Sequence, residues 1–140
     1  MKFKNLIIVA FILILLSSCE DNSTKNESLL KSFGYTAQSQ GNQPILTGKV
    51  SYQSSNNEKP LDSVIITVDT FHAITDKEGF FKVQVFKGSH RVCFSKRGFS
   101  TLYLEEYTAD SAQISDARVV LKPGANRTTI NVSKKIYTER

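Results

Sequence analysis

The sequence predicts an all-β domain, an antiparallel sandwich or small barrel. Three observations carry this. Beyond residue 45, apolar and polar residues alternate in successive short segments. Clusters of Gly, Pro, Asn, Asp and Ser separate those segments, and no long helix-period segment interrupts the series. With 140 residues the chain has room for one modest domain, which excludes a large enzyme carrying its own substrate domain.

Residues 1–18 read as a leader. Lys2 and Lys4 are positive, residues 6–16 (LIIVAFILILL) form an unbroken apolar run, and Leu16-Ser17-Ser18-Cys19 follows. A helix needs about 20 apolar residues to span a bilayer, so this run suits a secretory signal better than a permanent anchor. Leu16-Ser17-Ser18-Cys19 resembles the lipobox of bacterial lipoproteins. Small residues admit the backbone to the signal peptidase, and the thiol accepts the lipid. The resemblance implies cleavage before Cys19, acylation (palmitate) of Cys19, and membrane attachment through that lipid. Cys93 is then left without an intramolecular partner and reads as a shielded structural thiol, with intermolecular pairing as the alternative.

Residues 19–43 (CEDNSTKNESLLKSFGYTAQSQGNQ) are mostly polar and predict a flexible tether, roughly 25 to 30 Å root-mean-square in reach. Within it, Leu29, Leu30 and Phe33 have the spacing of one short amphipathic helical turn.

Residues 44–123 hold the strands. Leu46, Gly48, Val50 and Tyr52 alternate with Thr47, Lys49 and Ser51, as on a strand with one buried face. Turn chemistry fills residues 54–59 and Pro60 opens the next segment, where Val64, Ile66 and Val68 share a face. Thr75-Asp76-Lys77-Glu78-Gly79 reads as a tight hairpin turn: the Asp76 carboxylate accepts backbone N–H groups and Gly79 supplies a positive φ. Phe81, Val83 and Val85 continue the buried face. A turn at Lys87-Gly88 precedes His90, Val92 and Phe94; Gly98-Phe99, Leu102 and Leu104 follow, and Ala117, Val119 and Leu121 close the series before Pro123-Gly124.

Residues 124–140 read as a basic strand or tail. The formal charge of +5 falls to +3 when Lys2 and Lys4 leave with the leader. From Arg118 onward the chain carries Arg118, Lys122, Arg127, Lys134, Lys135 and Arg140 against one acid, Glu139. Export and the lack of interleaved aromatic platforms argue against nucleic acid, and a solvated edge is the expectation. Loose attraction to anionic lipid or lipopolysaccharide phosphate is the lesser reading.

Gly48-Lys49-Val50, Pro60-Leu61, residues 64–68, Thr75-Asp76 with Gly79 and Phe81, Gly88, Phe94-Ser95 and Gly98-Phe99 together resemble the carboxypeptidase regulatory-like domain. The likeness runs from about Leu46 to Pro123. It implies a seven-stranded antiparallel, transthyretin-like β-sandwich of the kind that precedes the plug of many TonB-dependent outer-membrane receptors, especially in Bacteroidetes. Neither a receptor barrel nor a peptidase domain accompanies it in this sequence, so the functions of those parts do not transfer.

Catalytic and metal signatures are lacking. Asp76-Lys77-Glu78-Gly79 has neither the alternating oxygen ligands nor the distal Glu of a calcium loop. The only histidines, His72 and His90, fall in strand-like segments and make no zinc-binding spacing. Glu105, Glu106, Asp110 and Asp116 do not specify a paired acid and base. The reading is non-enzymatic, without a cofactor. Asp62-Ser63-Val64 and Asp110-Ser111-Ala112 resemble the O-glycosylation motif of Bacteroidetes at Ser63 and Ser111. Glu20-Asp21 fits either a surface-export signal or the start of a soluble tether, so the outer membrane is expected with its facing side open. The leading function is a binding or adaptor module for an envelope protein or glycan. The alternative is a structural lipoprotein of a secretion or envelope assembly.

Overall fold

The computed structural model describes residues 28–38, 43–110 and 113–132, and Cys19, Glu20-Asp21 and Ser111 lie outside them. The described residues form ten strands: β1 (Leu29–Gln38), β2 (Ile45–Ser54), β3 (Asn57–Pro60), β4 (Ile65–Val68), β5 (Phe71–Ile74), β6 (Phe80–Gln84), β7 (Gly88–Ser95), β8 (Thr101–Ala109), β9 (Gln113–Leu121) and β10 (Arg127–Asn131). They make the two facing sheets of an all-β sandwich.

The first sheet runs β1-β9-β2, with the far edge of β2 shared by β6 along residues 45–49 and by β3 along residues 51–54. The second runs β10-β8-β7-β4-β5. Inward residues of both sheets meet between them: Leu46, Val50, Phe81, Val83, Ala117, Val119 and Leu121 from the first, and Ile66, Val68, Val92, Phe94, Leu102, Leu104 and Tyr107 from the second. Phe81 and Phe94 meet edge to face across the core, with centroids 5.6 Å apart. Such a pair adds about 0.5 to 1.5 kcal/mol beyond its buried area.

Three expectations are corrected. The strands number ten and not seven, and two of the pairings, β2 with β9 and β8 with β10, are parallel. The tether expected over residues 19–43 contains β1, which pairs antiparallel with β9, so the Leu29, Leu30 and Phe33 segment is extended and not helical. Leu30 and Phe33 pack against the core while Ser28, just before β1, is buried and donates its hydroxyl to the Ser100 carbonyl. Of the strand or tail expected beyond residue 124, the strand is present as β10, which adds an edge beside β8. Finally, residues 75–79 do not make a hairpin within one sheet. β5 pairs with β4 and β6 with β2, so the turn is a corner that carries the chain from one sheet to the other.

Two glycines are fixed by close approach. A Cβ on Gly48 would lie 2.1 Å from the Ala117 carbonyl oxygen and 2.8 Å from the Phe81 ring, which covers the glycine from the neighbouring strand. Gly79 has a φ of +81°, and a Cβ there would lie 2.3 Å from the Val50 carbonyl oxygen.

Candidate binding surfaces

The corner is built by Asp76. Its Oδ1 accepts the backbone N–H groups of Glu78 at 3.0 Å and Phe80 at 2.9 Å, while its own N–H donates to the Phe80 carbonyl. The carboxylate is thus committed to backbone donors, and Gly79 closes the turn with its carbonyl accepting the Val50 N–H. Thr75 secures the same corner from inside. Its buried hydroxyl donates to the Leu61 carbonyl at 2.8 Å and accepts the Val64 N–H at 2.9 Å. Nothing in the local sequence distinguishes Thr75 from the other threonines, because its partners lie 11 and 14 residues away.

Among the described residues, the corner leaves β5 and β6 as open edges of the two sheets on one flank. Between them lies a groove of about 410 Å³ lined by Gln43, Phe71, His72, Lys82, Val83, Gln84 and Val85. At one end Phe71 meets Phe86 edge to face, centroids 4.9 Å apart, and Phe86 is 60% exposed. His90 fixes the backbone there: its Nε2 lies 2.7 Å from the Phe86 carbonyl oxygen and its Nδ1 2.5 Å from Asp69 Oδ2. Both ring nitrogens of this buried histidine therefore face acceptors, which leaves neither for a metal or a substrate. His72 is exposed, with Nδ1 3.2 Å from the Thr67 hydroxyl. The two histidines are not brought together into a shared site.

Cys93 lies on the outer face of the second sheet, in register with Thr67 on one side and Tyr103 on the other. The Arg127 guanidinium covers the Tyr103 ring at 4.0 Å, and Arg91 pairs with Glu105 at 2.6 Å beside it. Burial pushes the Cys93 thiol up, outweighing the opposing effects of the Tyr103 hydrogen bond and the nearby arginines. A thiol held protonated is a poor nucleophile, consistent with a structural role. Ser63 stands exposed between β3 and β4, with a φ of +54° and its hydroxyl donating to Asp62 Oδ2 at 3.0 Å. Its accessibility leaves it open to modification. The carboxylates of Glu105, Asp110 and Asp116 are scattered: Glu105 sits in β8, Asp110 follows that strand, and Asp116 lies in β9.

No protein-family model and no curated protein matches the sequence. Among solved structures, the chain is similar to one from a type II cohesin–X-dockerin complex of Acetivibrio cellulolyticus, an N-terminal interface mutant, at 14% identity and a TM-score of 0.41. The likeness covers 61% of this chain and 52% of that one, about half its length.

Proposed function

We propose that the chain is a non-catalytic lipoprotein of the cell envelope, held in the outer membrane through acylated Cys19, whose sandwich serves as a binding or adaptor module for another envelope component. The observation that supports this reading best is the β5–β6 flank, where two open strand edges border a groove ending at the exposed Phe86 ring. Open edges offer backbone hydrogen bonds to an extended segment, and an exposed aromatic supplies an anchor beside them. Membrane attachment raises the local concentration of the domain, so even a weak contact is occupied. The resemblance to carboxypeptidase regulatory-like domains makes a TonB-dependent receptor lacking such a domain the partner of choice.

A photo-crosslinking residue at Gln84, in the groove wall, tests the reading in intact cells. It should capture an envelope protein or glycan, whereas the same residue at the exposed Arg97, in the β7–β8 connection, should not. Absence of any capture from Gln84 overturns the adaptor reading. The anchor is tested separately: Cys19→Ser should abolish lipid labelling and leave the uncleaved precursor. Mature wild-type protein found soluble with an unmodified Cys19 would overturn it.

A further inference from the structure

The outer face of the first sheet carries a concavity that the adaptor reading does not use. Four strands contribute one cation each: Lys31 from β1, Lys49 from β2, Lys59 from β3 and Arg118 from β9 line a cavity of about 250 Å³, together with Ser51, Glu58 and Pro60. The topology is what gathers them. Lys49 and Arg118 are direct partners in the parallel β2–β9 ladder, whereas Lys59, which pairs with the inward-facing Tyr52, lies at the rim contributed by the edge strand β3. Lys31 sits at a register shift in β1, between Leu30 and Ser32, on the far side of β9.

Among the described residues, the single carboxylate lining this cavity is already engaged. Glu58 is ion-paired with Lys31 and accepts the Ser51 hydroxyl at 2.5 Å. Among the described residues, Lys49, Lys59 and Arg118 have no carboxylate within ion-pair distance. Lys49 instead lies 5.1 Å from the centre of the Phe80 ring. Like charges placed side by side on a sheet are destabilising, and a concave surface concentrates their field. An anion settling among them removes that repulsion.

We infer that this cavity is a binding site for a phosphate group, with Arg118 and Lys49 as its donors, Lys59 at its rim and the Lys31–Glu58–Ser51 cluster as its fixed wall. Two unpaired cations side by side match a phosphate carrying about −1.5 to −2 charges better than a single carboxylate. The guanidinium offers a planar fork for two phosphate oxygens and the ammonium groups act as mobile point charges. The cavity is smaller than the roughly 300 to 1,000 Å³ of sites that enclose whole drug-sized ligands, and suits a single charged group. That group arrives either on a lipid headgroup or on a soluble phosphate compound.

Titration of inorganic phosphate into the chain from residue 19 onward, which retains every described strand, tests the site by calorimetry at low salt. Saturable binding should weaken about tenfold or more in Lys49→Gln and in Arg118→Gln. Lys87→Gln and Arg97→Gln, which remove the same charge elsewhere, should bind as wild type. Vesicles containing phosphatidic acid distinguish the source. Vesicle binding that inorganic phosphate competes away, and that Arg118→Gln abolishes, assigns the lipid headgroup; phosphate binding without vesicle binding assigns the soluble compound. No saturable phosphate binding, or equal weakening in the control variants, overturns the proposal. Melting of each variant near wild type keeps a folding defect from imitating the effect, and Arg118→Lys, which keeps the charge, should restore part of the affinity.

Discussion

Tyr107 and Ser115 join the two sheets by a hydrogen bond through the core, the phenol of β8 donating to the β9 hydroxyl at 3.2 Å with both residues fully buried. The bond lets a large aromatic side chain fill the interior without stranding its polar end. Phe33 meets the same ring edge to face at 5.5 Å, so β1 closes over it. Burial pushes the Tyr107 hydroxyl up from its ordinary value, because a phenolate there would be desolvated.

Tyr107→Phe should destabilise the domain by about 1 to 3 kcal/mol, since Ser115 loses its partner in the core. The double variant Tyr107→Phe/Ser115→Ala should recover part of this, as measured in urea melts. The pH dependence has a definite sign. Tyr107 contributes fully below its unfolded value of 10.0, and stability is lost as pH rises above that, where the unfolded phenol ionises and the buried one does not. Wild type should therefore weaken more steeply than Tyr107→Phe between about pH 9 and about pH 11.

Gly48→Ala should destabilise by about 1 to 3 kcal/mol or more, because the added methyl meets the Ala117 carbonyl and the Phe81 ring together. Gly34→Ala is the matched control, having nothing within 4 Å of the added carbon. A comparison of their thermal melts checks whether crowding, and not the loss of glycine itself, sets the cost.

At the corner, Gly79→Val should cost about 1 to 3 kcal/mol through its positive φ, with the Val50 carbonyl in the way adding to that. Phe81→Ala should cost about 3 to 5 kcal/mol by emptying the contact with Phe94. Chemical denaturation of each variant measures both, and an unchanged midpoint for Phe81→Ala would contradict the strand register.

The contribution of β1 can be read by truncation. Removing residues 29–38 deletes β1, uncovers the edge of β9 and strips Leu30 and Phe33 from the core. The deletion should abolish cooperative melting or lower its midpoint sharply.

Acid sensitivity should appear at Glu58. Lys31 and Ser51 hold its carboxyl below the ordinary carboxylate value of 4.5, so its contribution is complete above that pH and is lost as pH falls through the lowered value. Melting of Glu58→Gln should consequently fall less than that of wild type on acidification below about pH 4.5.

The sequence by itself determined where one buried face alternates without interruption. Leu46, Val50, Phe81, Val83, Val92 and Phe94 are all inside, as their period of two requires, and Asp76 with Gly79 marked a turn through local backbone chemistry. Tertiary structure decided what that period does not encode. β1 is bulged between Leu30 and Ser32 and again between Tyr35 and Ala37, so its core contacts at Leu30 and Phe33 fall three residues apart and imitate a helical turn. An irregularity between β7 and β8, with Glu106 at a φ of +59°, likewise shifts the inward face from Leu102 and Leu104 to Tyr107 and Ala109. Which strands pair, and that two pairs are parallel, depends on backbone hydrogen bonds common to every residue type and therefore leaves no mark in side-chain alternation. The cations of the phosphate cavity were visible only as scattered charges, because Lys31 and Arg118 lie far apart in sequence and meet only once β1 and β9 are neighbours.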